Sequence, residues 1–282
     1  MIPKSLTLRV HCWGGLGSQL FALAHAYELR KKFPHRKILL LMHTSGVSER
    51  FSELDFLGDS EFKIRQVKDF KKSSFNQSSQ IRRVQKIRNQ INLIAKKMLY
   101  QTGFIASANT TKEFYRVRPW VISTRGHYFN RAISPSFFEF LLKHIRIEKK
   151  TNKEKGFKLV VHYRLGDLLE LQSKSPLAAD KLVHKVNAVL LHQPDPSIVV
   201  FSESLIEARQ KLVSAGLQSE FVVSDLPIAQ LLGQSLEADF FIGTNSKISL
   251  WITNLRRYLG LTEVTYLEGF DQQLYPFEQL KN

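Results

Sequence analysis

Several short stretches of this chain gather residue types able to grip an anion. The clearest is KLVVHYRLGDLLEL, residues 158–171, where His162, Arg164 and Asp167 directly follow an apolar run. Leu159–Val161 read as a buried strand whose exit ends at Gly166. On a strand of period two, Val160, His162 and Arg164 share one side, while Val161 and Tyr163 face the other. His162 and Arg164 therefore reach the same space beyond the sheet end. A planar guanidinium can hold a phosphate through two parallel hydrogen bonds, which a lysine cannot do. Asp167 is placed to orient Arg164, to cap the next helix or to accept a proton. The plain alternative is a capped turn with a solvated arginine.

Three further clusters sit at similar junctions. HCWGGLGSQLF, residues 11–21, runs from a strand through Gly14, Gly15 and Gly17 into a helix whose opening N–H groups attract anions. It is not a dinucleotide fingerprint, because Leu20 occupies the third glycine position and the next strand ends in His43-Thr44 without an acid. In ADFFIGTNSKISLW, residues 238–251, a strand ends at Gly243, and Thr244, Asn245 and Ser246 supply N-cap chemistry to a helix holding Ser249 and Trp251. Asp239, just ahead of that strand, reads as a cap or as a hydrogen-bond partner for a ligand. FSESLIEA, residues 201–208, places Ser202 and Glu203 at one more strand end. The sequence has no Asp-x-Asp pair, no His-Glu-x-x-His arrangement and no Gly-x-Ser-x-Gly elbow, so neither a metal nor a covalent nucleophile is indicated.

The elements that must position these residues alternate. Strands are expected at Leu6–Trp13, Lys37–Met42, Trp120–Thr124, Lys158–Tyr163, Ser197–Ser202, Glu220–Ser224, Asp239–Gly243 and Glu263–Leu267. Helices are expected near 18–33, 79–99, 134–146, 177–192, 203–215, 226–237 and 246–258. Such alternation predicts parallel sheets in an α/β protein. The polar segment IEKKTNKEKG, 147–156, marks the boundary between two domains, 1–148 and 149–282. In open α/β sheets, ligands bind at the carboxyl ends of the strands, and the clusters fall at such ends.

Composition narrows the partners. The 282 residues carry 41 Lys and Arg against 25 Asp and Glu, a net charge of +16 that implies an anionic partner. Residues 63–97 hold eleven of these cations against the single acid Asp69. Ile81, Val84, Ile87, Ile91, Ile94 and Met98 recur there at helical steps, so a basic helical insertion is expected near 63–99 in the first domain. Two readings stay open for it: a solvated helix packed on its own domain, or a helix resting on anionic lipid. Cys12 is the only cysteine, which excludes an internal disulfide and a cysteine zinc site and suits a reducing compartment. No apolar run reaches the ~18 residues of a membrane span, and MIPKSLTLRVHCW reads as a lead into a strand.

Taken in order, the clusters resemble the α-1,2-fucosyltransferases of glycosyltransferase family 11, within the fucosyltransferase superfamily. GGLGSQLF is similar to that family's Gly-Gly-Leu-Gly-Asn-Gln-Leu-Phe, HYRLGD to its His-x-Arg-Arg-Gly-Asp, and TNSKISLW to its Asn-Ser-Thr-Phe-Ser-Trp-Trp. FSES fits its Phe-Ser-Asp-Asp, and GHYFN (126–130) its Gly-Tyr-Phe-Gln. The resemblance implies a GT-B architecture, with two Rossmann-like domains facing across a cleft. It implies metal-independent, inverting transfer of fucose from GDP-fucose to a sugar hydroxyl in surface glycan synthesis. No cofactor enters, and the partners are the nucleotide-sugar donor and a glycan or lipid-linked glycan. Arg164 would meet the β-phosphate, with Asp167 a candidate base and His162 Arg164's neighbour in the donor site. Asn245, Ser246 and Ser249 would lie near the nucleotide, as would Ser202 and Asp239. Gly15, Gly17, Ser18 and Gln19 would line the cleft from the acceptor-side domain.

The chain departs from the pattern at Ser18, for the usual asparagine, at Leu165, for the second arginine, and at Ile248 and Leu250, where aromatics are usual. Leu165, Leu168 and Leu169 together read as a packing edge. The expected setting is cytoplasmic, with peripheral contact at the inner membrane face. One alternative is a glycosyltransferase using another nucleotide-sugar. A different class, a basic non-catalytic nucleic-acid-binding protein, lacks any accompanying RNA-binding fingerprint.

Overall fold

The computed structural model describes residues 7–45, 49–58, 62–69, 94–95, 97–129, 133–145, 156–169, 176–193, 195–224, 227–244, 246–261 and 264–266. The chain divides into two compact units: Met1–Ser52 with Asp59–Ala132, and Glu53–Gly58 with Ile133–Asn282. Each is built on a parallel sheet, the α/β class that strand–helix alternation predicts.

Unit 1 contains β1 (Leu8–Trp13), α1 (Leu16–Lys32), β2 (Ile38–His43), β3 (Lys63–Val67), β4 (Ile105–Ser107), α2 (Thr111–Tyr115) and β5 (Ser123–Arg125). Its five strands lie in the order β3-β2-β1-β5-β4. α1 is apolar around most of its surface, burying Leu16, Leu20, Phe21, Leu23 and Leu29, and it ends in Arg30, Lys31 and Lys32, where the helix dipole favours cations. α2 opens with a capping box between Thr110 and Glu113.

Unit 2 contains α3 (Pro135–His144), β6 (Lys158–His162), α4 (Ala179–Leu190), β7 (Ser197–Phe201), α5 (Leu205–Ser214), β8 (Val222–Ser224), α6 (Ile228–Glu237), β9 (Phe240–Gly243), α7 (Lys247–Tyr258) and β10 (Val264–Tyr266). The strand order is β10-β9-β6-β7-β8. β6 is central, so both of its faces are covered and its apolar run is continuous. Leu159, Val161, Tyr163 and Leu165 all enter one core cluster with Leu182, Val186 and Ile198. The alternation therefore runs on past the strand's last hydrogen-bonded residue. Leu165 and Leu168 are packed as expected of a packing edge, but Leu169 is 38% exposed and is not part of it.

Three expectations need correction. The polar stretch at 147–156 leaves α3 with the first domain, yet α3 belongs to unit 2. Its Phe137 meets Trp251 edge-on at 5.8 Å and Phe138 stacks on Tyr258 at 5.2 Å, so aromatic packing outweighs the polar marker. The insertion expected to be helical from 63 begins instead with strand β3, an edge strand with Lys63 and Arg65 exposed. The third expected strand, Trp120–Thr124, is displaced to Ser123–Arg125, and Trp120 is an exposed turn residue. The helix expected at 79–99 lies outside the described residues except for 94–95 and 97–99. Among the described residues, no helix is long and apolar enough to cross a membrane.

Candidate functional site

In unit 2 the strand order changes direction between β6 and β9, the point where open α/β sheets take ligands. β6 pairs with β9 in parallel, His162 lying opposite Gly243, and with β7, His162 lying opposite Phe201. Beyond that row, Thr244 clamps the exit of β6. Its hydroxyl donates to the His162 carbonyl at 2.8 Å and accepts from the Arg164 N–H at 3.0 Å. Its own N–H adds a bond to the same carbonyl at 3.2 Å, and the Tyr163 N–H donates to Phe201 at 2.9 Å. The backbone carrying His162 and Arg164 is thus held from both neighbouring strands. Thr244 reads in the sequence only as cap material, and its one signal is a hydroxyl directly after a strand-ending glycine.

His162 is 3% exposed, and its Nδ1 shares a 2.6 Å hydrogen bond with the hydroxyl of Ser249, which is itself fully buried. Burial, with the charge of Arg164 adding to it, pushes the His162 pKa down to about 3. At neutral pH it is an uncharged, fixed hydrogen-bonding ring. Ser249 lies in the first turn of α7, which can approach the strand end only because residue 243 is glycine. A Cβ at that position would stand 2.7 Å from the Ser249 Cβ. Ser246 is the N-cap of α7, its hydroxyl accepting from the Ile248 N–H at 3.2 Å. Arg164 is half-buried on the same edge, so a cation on a clamped backbone, a helix N-terminus and a neutral imidazole belong to one strand end.

Ser202 joins this edge from β7. It is 7% exposed, and its hydroxyl accepts from the Ser204 N–H at 3.3 Å, a local turn bond. Glu203 lies against Gly166, where a side chain would collide with its carboxylate, so the loops after β6 and β7 are fitted to each other. Asp167 lies in the short 3-10 turn Gly166–Leu168, and its side chain is outside the described residues, as is Asn245.

Asp239 lies elsewhere, in the capping position that is one of its two readings. It precedes β9 at the amino end of the sheet, where its carboxylate accepts from the Lys158 N–H at 2.8 Å. Its carbonyl, with those of Ser235 and Ala238, receives the buried guanidinium of Arg256. Parallel strands put that junction at the opposite edge from His162.

The glycine cluster of unit 1 is also braced by its own chain. Gly14 takes φ +99°, and Gly15 is the N-cap of α1. Gln19 is 1% exposed, and its amide nitrogen donates to Gly14 at 3.1 Å and Phe51 at 2.7 Å. That nitrogen shapes the turn from within. Gly17 is buried in α1 and Ser18 is half-buried there. The sequence gives no warning of a second feature in this unit. His11 Nδ1 pairs with His43 Nε2 at 2.8 Å, and His43 Nδ1 with Asp69 Oδ2 at 2.6 Å, with Trp13 stacked on His43 at 4.4 Å.

No protein-family model matches this chain, and no curated protein matches it. Solved structures do. A glycosyl transferase family 9 protein from Veillonella parvula is similar with a TM-score of 0.48 and 12% identity, over 95% of this chain and 82% of that one. An S. aureus MnaA–UDP co-structure gives 0.49 and 9%, over 97% and 87%. NodZ, an alpha-1,6-fucosyltransferase soaked with GDP-fucose, is similar at 0.45 and 13% identity, covering 96% of this chain and 97% of its own.

Proposed function

We propose that this chain is an inverting, metal-independent glycosyltransferase that takes fucose from GDP-fucose and passes it to a sugar hydroxyl. The observation that carries the reading is the Thr244 clamp, which holds the backbone of Arg164 beside neutral His162 at the β6/β9 switch point. As a diphosphate leaves an oxocarbenium-like centre, negative charge grows on the β-phosphate. A cation already held in place stabilises that charge more than it stabilises the bound donor, and this lowers the barrier. Because His162 is uncharged, it adds hydrogen bonding without a second positive charge. Asp167 is the proposed base for the incoming hydroxyl. The donor identity rests on the motif resemblance, and metal independence on the lack of an Asp-x-Asp pair. Unit 1 is read as the acceptor side. The lipid-contact part of the reading concerns the basic segment, most of which lies outside the described residues.

The test is donor turnover across GDP- and UDP-sugars in chelator, with Arg164→Ala and Arg164→Lys alongside. GDP-fucose should be the donor consumed. The alanine variant should lose about 10²–10³-fold in turnover, the scale of one charge-stabilising group, and lysine should restore little of it. Wild-type turnover by the alanine variant removes the phosphate role. Consumption of a UDP-sugar alone replaces the donor.

A further inference from the structure

The second face of the unit 1 sheet is chemically unlike the one under α1. β1 and β5 lie side by side with Arg9 opposite Ser123. Period two then sets Arg9 and His11 of β1 beside Ser123 and Arg125 of β5 on a common face. A cavity of about 600 Å³ opens on that face, lined among others by Arg9, His11, Arg65, Lys68, Ser123 and Arg125. Four of those six are Lys or Arg, and no carboxylate is among the described lining residues.

Two buried polar atoms in the lining lack a partner among the described residues: Ser123 Oγ and Arg125 Nε. Ser123 is 5% exposed. Folded proteins rarely leave such atoms unpaired, because each forfeits its hydration without replacement. Arg125 has its guanidinium carbon 5.8 Å from the centre of the Trp13 ring, which limits its freedom to turn away. Asp69, the nearest acid in sequence to Lys68, is occupied with His43, Ser45 and Thr44. Burial pushes its carboxyl upward, yet the bonds from His43 and Ser45 outweigh this and hold it below the usual range. Among the described lining residues, then, four cations gather with no carboxylate.

We propose that this cavity of unit 1 binds a phosphorylated molecule, its phosphate held by Arg125 and Arg9 across Ser123. The volume falls within that of small-molecule sites. The shared chemistry is a phosphate ester or diphosphate, carried either by a soluble molecule or by a lipid headgroup. The site does not depend on the transferase reading, since its residues lie in unit 1 and Arg164 lies in unit 2.

The experiment is a calorimetric titration of inorganic pyrophosphate into the full chain bearing Arg164→Ala, which removes the proposed phosphate contact of unit 2. Binding should persist there and weaken at least tenfold when Arg125→Gln is added, and it should fall with salt. Arg9→Gln, at an exposed position, should weaken it as well and guards against misfolding of the Arg125 variant. Sedimentation with phosphatidic acid vesicles that is lost in Arg125→Gln places the phosphate on a lipid. Pyrophosphate binding without such sedimentation places it on a soluble molecule. No pyrophosphate binding in the Arg164→Ala protein, or binding indifferent to both arginine variants, overturns the assignment.

Discussion

The two units share one plan and use it differently. Both sheets run third strand, second, first and then cross to the remaining two, which follow as fifth then fourth in unit 1 and as fourth then fifth in unit 2, so each has its switch point beside its first strand. In unit 2 the groups at that point are buried polar side chains bonded to one another: His162 to Ser249, and Thr244 to the backbone on either side of Tyr163. In unit 1 the corresponding turn is glycine, closed from within by Gln19. Four cations of unit 1, Arg9, Arg65, Lys68 and Arg125, line a cavity on a sheet face. Topology thus chooses where a site can form. What forms there depends on which polar groups the chain buries and how it satisfies them.

Breaking the unit 2 arrangement from below should have the largest effect. Leu165 is 0% exposed within the unit 2 core, so Leu165→Arg buries an unpaired charge. A loss of about 3–5 kcal/mol is expected, read as a large fall in melting temperature. GDP affinity, measured well below the new transition, should not rise. A tighter complex with unchanged melting would make position 165 a donor contact and not a packing one.

Acid separates the units more gently. His162 ionises at about 3 when folded and near 6.5 when unfolded. Its contribution to stability is complete above pH ~6.5 and drains away as pH falls toward the folded value, because only the unfolded chain binds the proton. Between pH 6.5 and 5 the loss should be about 2 kcal/mol. In unit 1 the depressed carboxyl of Asp69 loses its contribution only lower, as pH falls through the ordinary carboxylate range. Hydrogen exchange at pH 5 should therefore loosen β6 and α7 before β1 and β2, and His162→Gln should remove the difference. Equal loosening of both sheets in the parent protein counts against this account.

The smallest effect sharpens the contrast from the unit 1 side. Gln19→Ala removes two amide bonds from a buried turn and should cost about 1–2 kcal/mol of stability. If Gln19 only braces the turn, GDP affinity should stay at the parent level. A marked loss of GDP binding with unchanged melting would return Gln19 to the ligand.

Much of this was legible along the chain. The strand carrying His162 was visible because a central parallel strand is an unbroken apolar run, and its alternation separated Arg164 from Leu165. The first turn of α7 was legible from Ser246 after a strand-ending glycine. β3 was not, because Lys63 and Arg65 give an edge strand the look of a charged surface segment. Asp239 stands ahead of its strand, and in a parallel sheet that position is at the amino end, beside Lys158 and away from His162.

Local chemistry, then, is what the residue order determined by itself: where the apolar strands run, where glycine must stand, and which side of β6 Arg164 takes. Those properties depend on a few neighbouring residues and on strand periodicity. Only the tertiary structure decided that Thr244, 80 residues from Arg164, clamps its backbone, that Ser249 fixes the ring of His162, and that Arg9 and Arg125 share one cavity. Each of these joins strands distant in sequence, and a parallel sheet brings such strands together only when its crossovers are packed.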